Sequence, residues 1–498
     1  MKNRYILSID QSTSGTKTLL FDNLGSILKR VDIPHEQFYP QPGWVEHDAF
    51  EIYRNTLSAA KQIISESNVD PTFVEAVAVT NQRETVVVWN RRTGLPIYNA
   101  VVWQCRRGEN ICEDLEKKGL SSEIQEKTGL VLSPYFSASK IRWILDYVDG
   151  ARVAAERGDL LCGTMDSWLI WNFTRGKTHA TDYSNASRTQ LFNISSLCWD
   201  YELLKAFKIP KSMMGEVRFS DEEFGRTDLE GILPRSVPIS GVMGDSHAAL
   251  FGQNCFYPGM AKATYGTGSS IMMNIGDHPL KSKKGLVTSI AWGMKKKVEY
   301  VFEGNINCSG STIQWLVDDL KLISSAKEAG SIAASVPNNQ GVYLVPAFVG
   351  LGAPYWDSNA RASISGISRG TKKAHIVRAA EESIAYQIRD ILDLMIKESG
   401  AVLKELRVDG GPTKDAFLMQ FQADILNIPI VRSSLEELSA AGSAYMAGIA
   451  NGFWDGKDEV SALWNSAGTY RRIVQESTVE DLYSGWLRAV ERTLSKYR

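Results

Sequence analysis

The stretch ILSIDQSTSGTKTLLFD (residues 6–22) ends an apolar run on a carboxylate, Asp10, and turns through small, hydroxylated residues into a second apolar run. The pattern predicts strands over Tyr5–Ile9 and Thr18–Phe21 joined by a tight polar turn. Turn formers alone would explain Ser12–Thr16 as an ordinary hairpin. Such a turn also gathers successive backbone N–H groups into a nest for an anion, to which Thr13 and Ser14 add hydroxyls and Lys17 a positive charge. Asp10 stands where it can offer oxygen to a magnesium ion.

A second copy of the design lies near the middle. ATYGTGSSIMMNIG (263–276) is again strand, Gly/Thr/Ser turn, strand, with Thr267 as donor and Gly266 and Gly268 allowing close approach. Around the first copy, Ile27–Val31 reads as a third strand after the turn DNLGS, and Asp48 as the cap of a helix burying Tyr53, Leu57, Ala60 and Ile64. VEAVAVT (74–80) and VVVWN (86–90) read as buried strands. Around the second, ELRVDGG (405–411) leads into the helix DAFLMQFQADIL (415–426), and SAAGSAYMAGIA (439–450) is a helix small enough for close packing. The repetition predicts an α/β fold of two duplicated domains meeting at a cleft, divided in the loop-like GQNCFYPGM (252–260) into 1–253 and 254–498. Neither turn matches a P-loop or a G-x-G-x-x-G fingerprint.

Bulk properties narrow the classes. A chain of 498 residues exceeds one ordinary core, and a net charge of −2 does not favour nucleic acid, which asks for a basic face. The basic run KSKKG (281–285) reads as a solvated loop. No segment has the length of a membrane span and no signal peptide is apparent, so the expectation is a cytoplasmic protein without membrane insertion. Six cysteines without a C-x-x-C pair read as reduced thiols, and six histidines show no metal spacing.

The paired turns, together with GWVEHD (43–48), NQRET (81–85), PIYNAVVWQCRR (96–107), TDYSNASRTQLFNI (181–194), YGTG (265–268), VPAFVGLGAPYWD (345–357) and RVDGG (407–411), resemble the FGGY family of carbohydrate kinases, its glycerol kinase branch above all. The resemblance implies the actin-like ATPase (ribonuclease H-like) fold, with ATP and Mg²⁺ as cofactors. Carried over, Thr13, Ser14 and Lys17 belong to the first phosphate motif, Thr267 to the second, Gly310 and Gln314 to positions near the nucleotide, and Gly410 and Gly411 to the adenosine-side turn. Asp10 addresses the metal. Two departures stand out: Ser12 where the family usually has Gly, eased by the flexibility of Gly15, and Asp415 where it has Asn near the nucleotide.

Phosphorylating a polyol needs a base for the acceptor proton and groups that orient the hydroxyls. Asp245, before an apolar helical stretch, reads by itself as an N-cap; the resemblance makes it the base. Arg83 and Glu84 end an apolar run and could bind neighbouring hydroxyls, although a turn ion pair in solvent is the plainer reading. Trp103 and Tyr135 match positions lining the same pocket. Ser246 and Ser270 stand where the branch typically has Gln and Phe, so the pocket is expected to be larger and more polar, with His247 near the space. The implied reaction is phosphorylation of a terminal hydroxyl of a small polyol, glycerol to glycerol 3-phosphate first. A longer four- or five-carbon polyol or ketose is the alternative, and an actin-like ATPase without sugar kinase activity the alternative of another class. The stretch FGRTDLEGILPRS (224–236) lacks the Gly-rich loop and the histidine through which some relatives are regulated. The resemblance also implies a homodimer or homotetramer.

Overall fold

The computed structural model describes residues 4–497. Two sheets dominate. The first has six strands, in the order Arg226–Thr227, Val237–Gly244, Val74–Asn81, Tyr5–Gln11, Gly15–Asp22, Ile27–Pro34. The second has seven, in the order Val287–Met294, Lys297–Ile306, Ser269–Gly276, Ala261–Tyr265, Leu406–Asp409, Ile430–Ser433, Ser466–Tyr470. Each is built the same way. A run of three antiparallel strands is continued from its first strand by two later parallel strands, one beyond the other; in the second sheet Val287–Met294 intervenes in sequence and adds to the far edge of the run. This is the duplicated ribonuclease H-like α/β unit of the actin-like ATPases.

The strands form where sequence pattern demands them. Tyr5–Gln11 is buried along its whole length, as expected for a central strand covered on both faces. Asp48 caps the helix Ala49–Glu66, its side chain accepting from Phe50 N. The buried stripe of that helix is Ile52, Thr56, Ala59, Ala60 and Ile63 with Tyr53; Leu57 and Ile64, expected inside, sit half-buried at its edges. One residue of helical phase separates the two readings.

The helix Leu438–Ala450 crosses the expected division of the chain. It packs on the first sheet and on the helix Asp245–Gly252, joining Ala440, Ala441 and Ala444 to Ile6, Ala76, Ala78 and Met243 in one core. The approach is backbone to backbone. A Cβ at Gly442 would lie 1.8 Å from the Ala248 carbonyl, and one at Gly252 would lie 2.4 Å from that of Leu438. A smaller four-stranded sheet, carrying Val86–Asn90 and Leu160–Thr164, holds the outer part of the first half.

Candidate active site

The first turn is held from behind. Ser12 N and Oγ both donate to Gly15 O, at 2.9 and 2.8 Å. Ser12 keeps a negative φ, so a side chain there costs no backbone strain. Gly15 does not supply the expected flexibility. It is a strand residue whose Cβ would come 2.8 Å from Ile33 O, so its role is close strand approach. His35 Nε2 donates to Thr13 O at 2.8 Å. The N–H groups of Thr13 and Ser14 have no partner among the described residues and remain available to an anion.

The second turn is clasped by the start of the helix Gly310–Asp318. Gly310 N donates to Gly266 O (2.9 Å), while Ser309 N and Ser311 N both reach Thr267 O. Gly410 passes under the same turn at φ +96°, where a Cβ would lie 1.9 Å from Tyr265 O. Gly410 and Gly411 open onto a cavity of about 430 Å³, also lined by Arg432, Ser434 and Glu437. Lys17 reaches this cavity's edge. Its ammonium lies 2.8 Å from Glu437 and 4.0 Å from Asp10. Gln314 is exposed on the Gly310 helix, bonded to Asp318. Asp415 does not line the cavity: its carboxylate accepts from Phe417 N and Leu418 N and caps the helix Ala416–Leu426.

Asp10 is 4% exposed and its Oδ1 has no hydrogen-bond partner. Burial pushes its pKa up to about 7, against the pull of Lys17 and with the further push of Asp245 and Glu437. Two carboxylates, Asp10 and Asp245, therefore share this end of the cleft.

Asp245 opens the helix Asp245–Gly252 as its first residue. Extended Gly244 is the N-cap, so Asp245 is not the expected cap. Its Oδ1 receives Ser246 N at 2.6 Å and lies 3.2 Å from Arg83 Nε. Arg83 and Glu84 are 6% and 1% exposed, which removes the reading of a solvated turn pair. Arg83 makes a two-pronged pair with Glu303 (3.0 and 2.8 Å). Arg188 bridges Glu303 (2.7 Å) and Glu84 (2.6 Å). Glu303 is held well below the usual carboxylate range by the two guanidiniums, despite its burial. Glu84 adopts φ +62°, and Thr85 N bonds to Arg83 O at 2.7 Å in a three-residue turn. Strained non-glycine backbone of this kind is characteristic of binding sites.

Trp103 and Tyr135 meet edge to face at 5.4 Å, and Trp103 Nε1 donates to Thr13 Oγ1 at 2.9 Å. Buried Lys140 fixes Tyr135 from beneath, donating to the carbonyls of Pro134, Tyr135 and Phe136. His247 is fully buried against Ser289 Oγ (3.0 Å), not turned into the pocket as a free group. Glu303, Arg188, Lys140 and Glu437 carry no signal in the turns. Glu303 falls in step with Lys297, Glu299 and Asn305 on the polar side of its strand, so the alternation does not mark it as buried.

Two Gly/Ser/Thr turns, a buried carboxylate beside the first and a buried network of charged side chains accompany a two-domain fold of the sugar kinase class. The chain belongs to the FGGY family of carbohydrate kinases: the family's N-terminal domain matches residues 5–252 and its C-terminal domain residues 261–451. It is 53% identical to glycerol kinase 1 of Thermotoga maritima over 99% of this chain and 100% of that protein. It is 51% identical to the glycerol kinase of Caldanaerobacter subterraneus subsp. tengcongensis, over 99% of each. Among solved structures it superposes on the Plasmodium falciparum glycerol kinase with ADP at a TM-score of 0.94 and 38% identity, covering 99% of this chain and 98% of that one. Family membership sets aside an ATPase without sugar kinase activity. No helix among the described residues is long and apolar enough to cross a membrane.

Proposed function

We propose that this chain is a cytoplasmic, ATP-dependent kinase that phosphorylates a terminal hydroxyl of glycerol to give glycerol 3-phosphate. Residues 1–253 carry the polyol pocket and the first phosphate turn, and residues 254–498 the second turn and the adenosine cavity. The observation that carries the reading is Asp245, a carboxylate about one-third exposed (34%), anchored by Arg83 and within electrostatic reach of Asp10. The full-length similarity to proteins named glycerol kinase supports the same acceptor.

In this reading the acceptor lies against the ring of Trp103, with Tyr135, Arg83, Glu84 and Ser246 around its oxygens. Asp245 receives the proton of the attacking hydroxyl. A loose transition state releases that proton late, so a weak carboxylate base suffices and alignment does most of the work. The free N–H groups of Thr13, Ser14 and Thr267 take phosphate oxygens. Lys17 moves from Glu437 toward their charge, and Gly310 and Gln314 stand at the nucleotide's flank. Adenosine enters the cavity at Gly410 and Gly411, behind which Asp415 sets the neighbouring helix.

Asp10 fits magnesium because its buried Oδ1 is unpartnered and its ionised form is disfavoured first by burial and then by the nearby Asp245 and Glu437. When bound, the ion supplies charge neutralisation for the phosphates. No three described His, Cys, Asp or Glu residues could hold a metal by themselves, so phosphate and water would complete its shell.

The deciding experiment is Asp245→Asn. Glycerol-dependent release of ADP is expected to fall about 10²–10⁴-fold, the range for loss of a positioned base, while calorimetric nucleotide affinity stays within a few-fold. Unchanged turnover in this variant would remove Asp245 from the chemistry.

A further inference from the structure

Beyond the acceptor position lies a second compartment. A cavity of about 190 Å³ shares Tyr135, Arg188 and Glu303 with the site and extends to Asn305, Asn307 and Trp356. Its lining sets the amides of Asn305 and Asn307 and the hydroxyls of Ser133 and Tyr135 among the apolar surfaces of Phe136, Val287 and Trp356. That pairing suits a ligand whose hydroxyls alternate with C–H surface.

Ser270 stands beside this compartment. On the strand Ser269–Gly276, Ile271 and Met273 enter the core of the second half, while Met272 faces the core shared with the first. Ser270 is on the Met272 side, directly across the ladder from Asn305, with Glu303 opposite Met272. Its Oγ is buried and has no partner. Opposed side chains on neighbouring strands stand about 5 Å apart at Cβ, so a large residue at 270 would cover Asn305. Serine leaves the way open and adds an unspent hydroxyl.

Charge narrows the ligand further. Arg83 and Arg188 face the three carboxylates Glu84, Glu303 and Asp245, and every guanidinium is already paired. A sugar acid or phosphorylated sugar would meet surplus negative charge, whereas a neutral polyol would not.

We propose that the acceptor pocket continues past Tyr135 into this compartment and takes linear polyols of four or five carbons, whose distal hydroxyls bond to Asn305, Asn307 and Ser270. The inference rests on the acceptor reading above. Trp356, half exposed (51%), closes the outer wall; Gly285 makes room for it, since a Cβ there would lie 1.9 Å from its Nε1.

The test compares kcat/KM for glycerol, erythritol, threitol, xylitol and ribitol at saturating ATP, in the native enzyme and in Ser270→Phe and Asn305→Ala. At least one longer polyol is expected to reach a tenth of the glycerol value or more. Ser270→Phe is expected to lower the longer-to-glycerol ratio at least tenfold, and Asn305→Ala, an exposed position that does not threaten folding, at least threefold. Turnover of glycerol with every longer polyol below a tenth overturns the inference and leaves the acceptor reading intact. A longer polyol accepted with ratios unmoved in both variants overturns the assignment of the compartment. ATP turnover indifferent to every polyol, glycerol included, overturns the acceptor reading and this inference together.

Discussion

Trp103 Nε1 donates to Thr13 Oγ1 at 2.9 Å, so the ring that packs beside Tyr135 also holds the turn after Asp10. In the proposed reading, this one hydrogen bond ties the acceptor pocket to the phosphate turn. Trp103→Phe keeps an aromatic surface and deletes that bond. It is expected to weaken nucleotide binding several-fold and to reduce the enhancement of nucleotide affinity by glycerol. A calorimetric titration with and without glycerol reads both; an unchanged enhancement would show that the bond carries no coupling.

The Arg83–Glu303–Arg188 network is a buried charge cluster whose worth lies in being complete. Glu303→Gln leaves two guanidiniums facing each other without their shared carboxylate. Breaking a buried pair costs about 3–5 kcal/mol. The melting temperature is expected to fall accordingly, and KM for the acceptor to rise as Arg83 loses its seat. A variant as stable as the parent would mean that water replaces the carboxylate.

Asp10 binds its proton more tightly folded than unfolded, because its pKa rises from 3.8 to about 7. The native state therefore carries the extra proton between these values, and stability falls as pH rises through that window, by up to about 4 kcal/mol, levelling above 7. Asp10→Asn removes this contribution, so the difference in urea midpoint between variant and parent should widen from pH 4.5 to 7.5. Magnesium should narrow it for the parent alone. A difference independent of pH would place the proton elsewhere.

Glu381 is buried, its Oε2 is unpartnered, and burial with the charge of Asp415 pushes its pKa up to about 8. By the same sign, stability conferred by the neutral acid is lost as pH rises from the normal carboxylate range through 8. Glu381→Gln should match the parent at pH 5 and exceed it in thermal stability at pH 9. Asp415→Asn removes the repelling charge and should move the parent's loss to lower pH. Superposable pH profiles in all three proteins would refute the pairing.

The parts of the molecule legible in sequence are those encoded by local period. The strands at Tyr5, Val74, Ala261 and Leu406 announced themselves by runs of buried residue types, and both turns by their glycines and hydroxyls. The site's polar residues were legible as individuals but not as a network. Arg83 and Glu84 find their partners 220 and 104 residues away, and nothing near them states that those partners exist. Asp245 reads in sequence as a cap, but Gly244 before it, extended and without a side chain, takes that position. The small residues of 438–450 signalled close packing without saying against which half.

Gly442 and Gly252 bring that helix to carbonyl contact with its neighbour, leaving no side-chain layer to slip across. Ridges of flexible side chains can slide past one another; two backbones in contact can only turn. If the two halves rotate against each other, this crossing of Leu438–Ala450 with Asp245–Gly252 is where they would pivot. Glu437, which holds Lys17, starts the first of these helices, and Asp245 starts the second. In the proposed reading, such a rotation would act on Lys17 through Glu437 and on Asp245 at the same time.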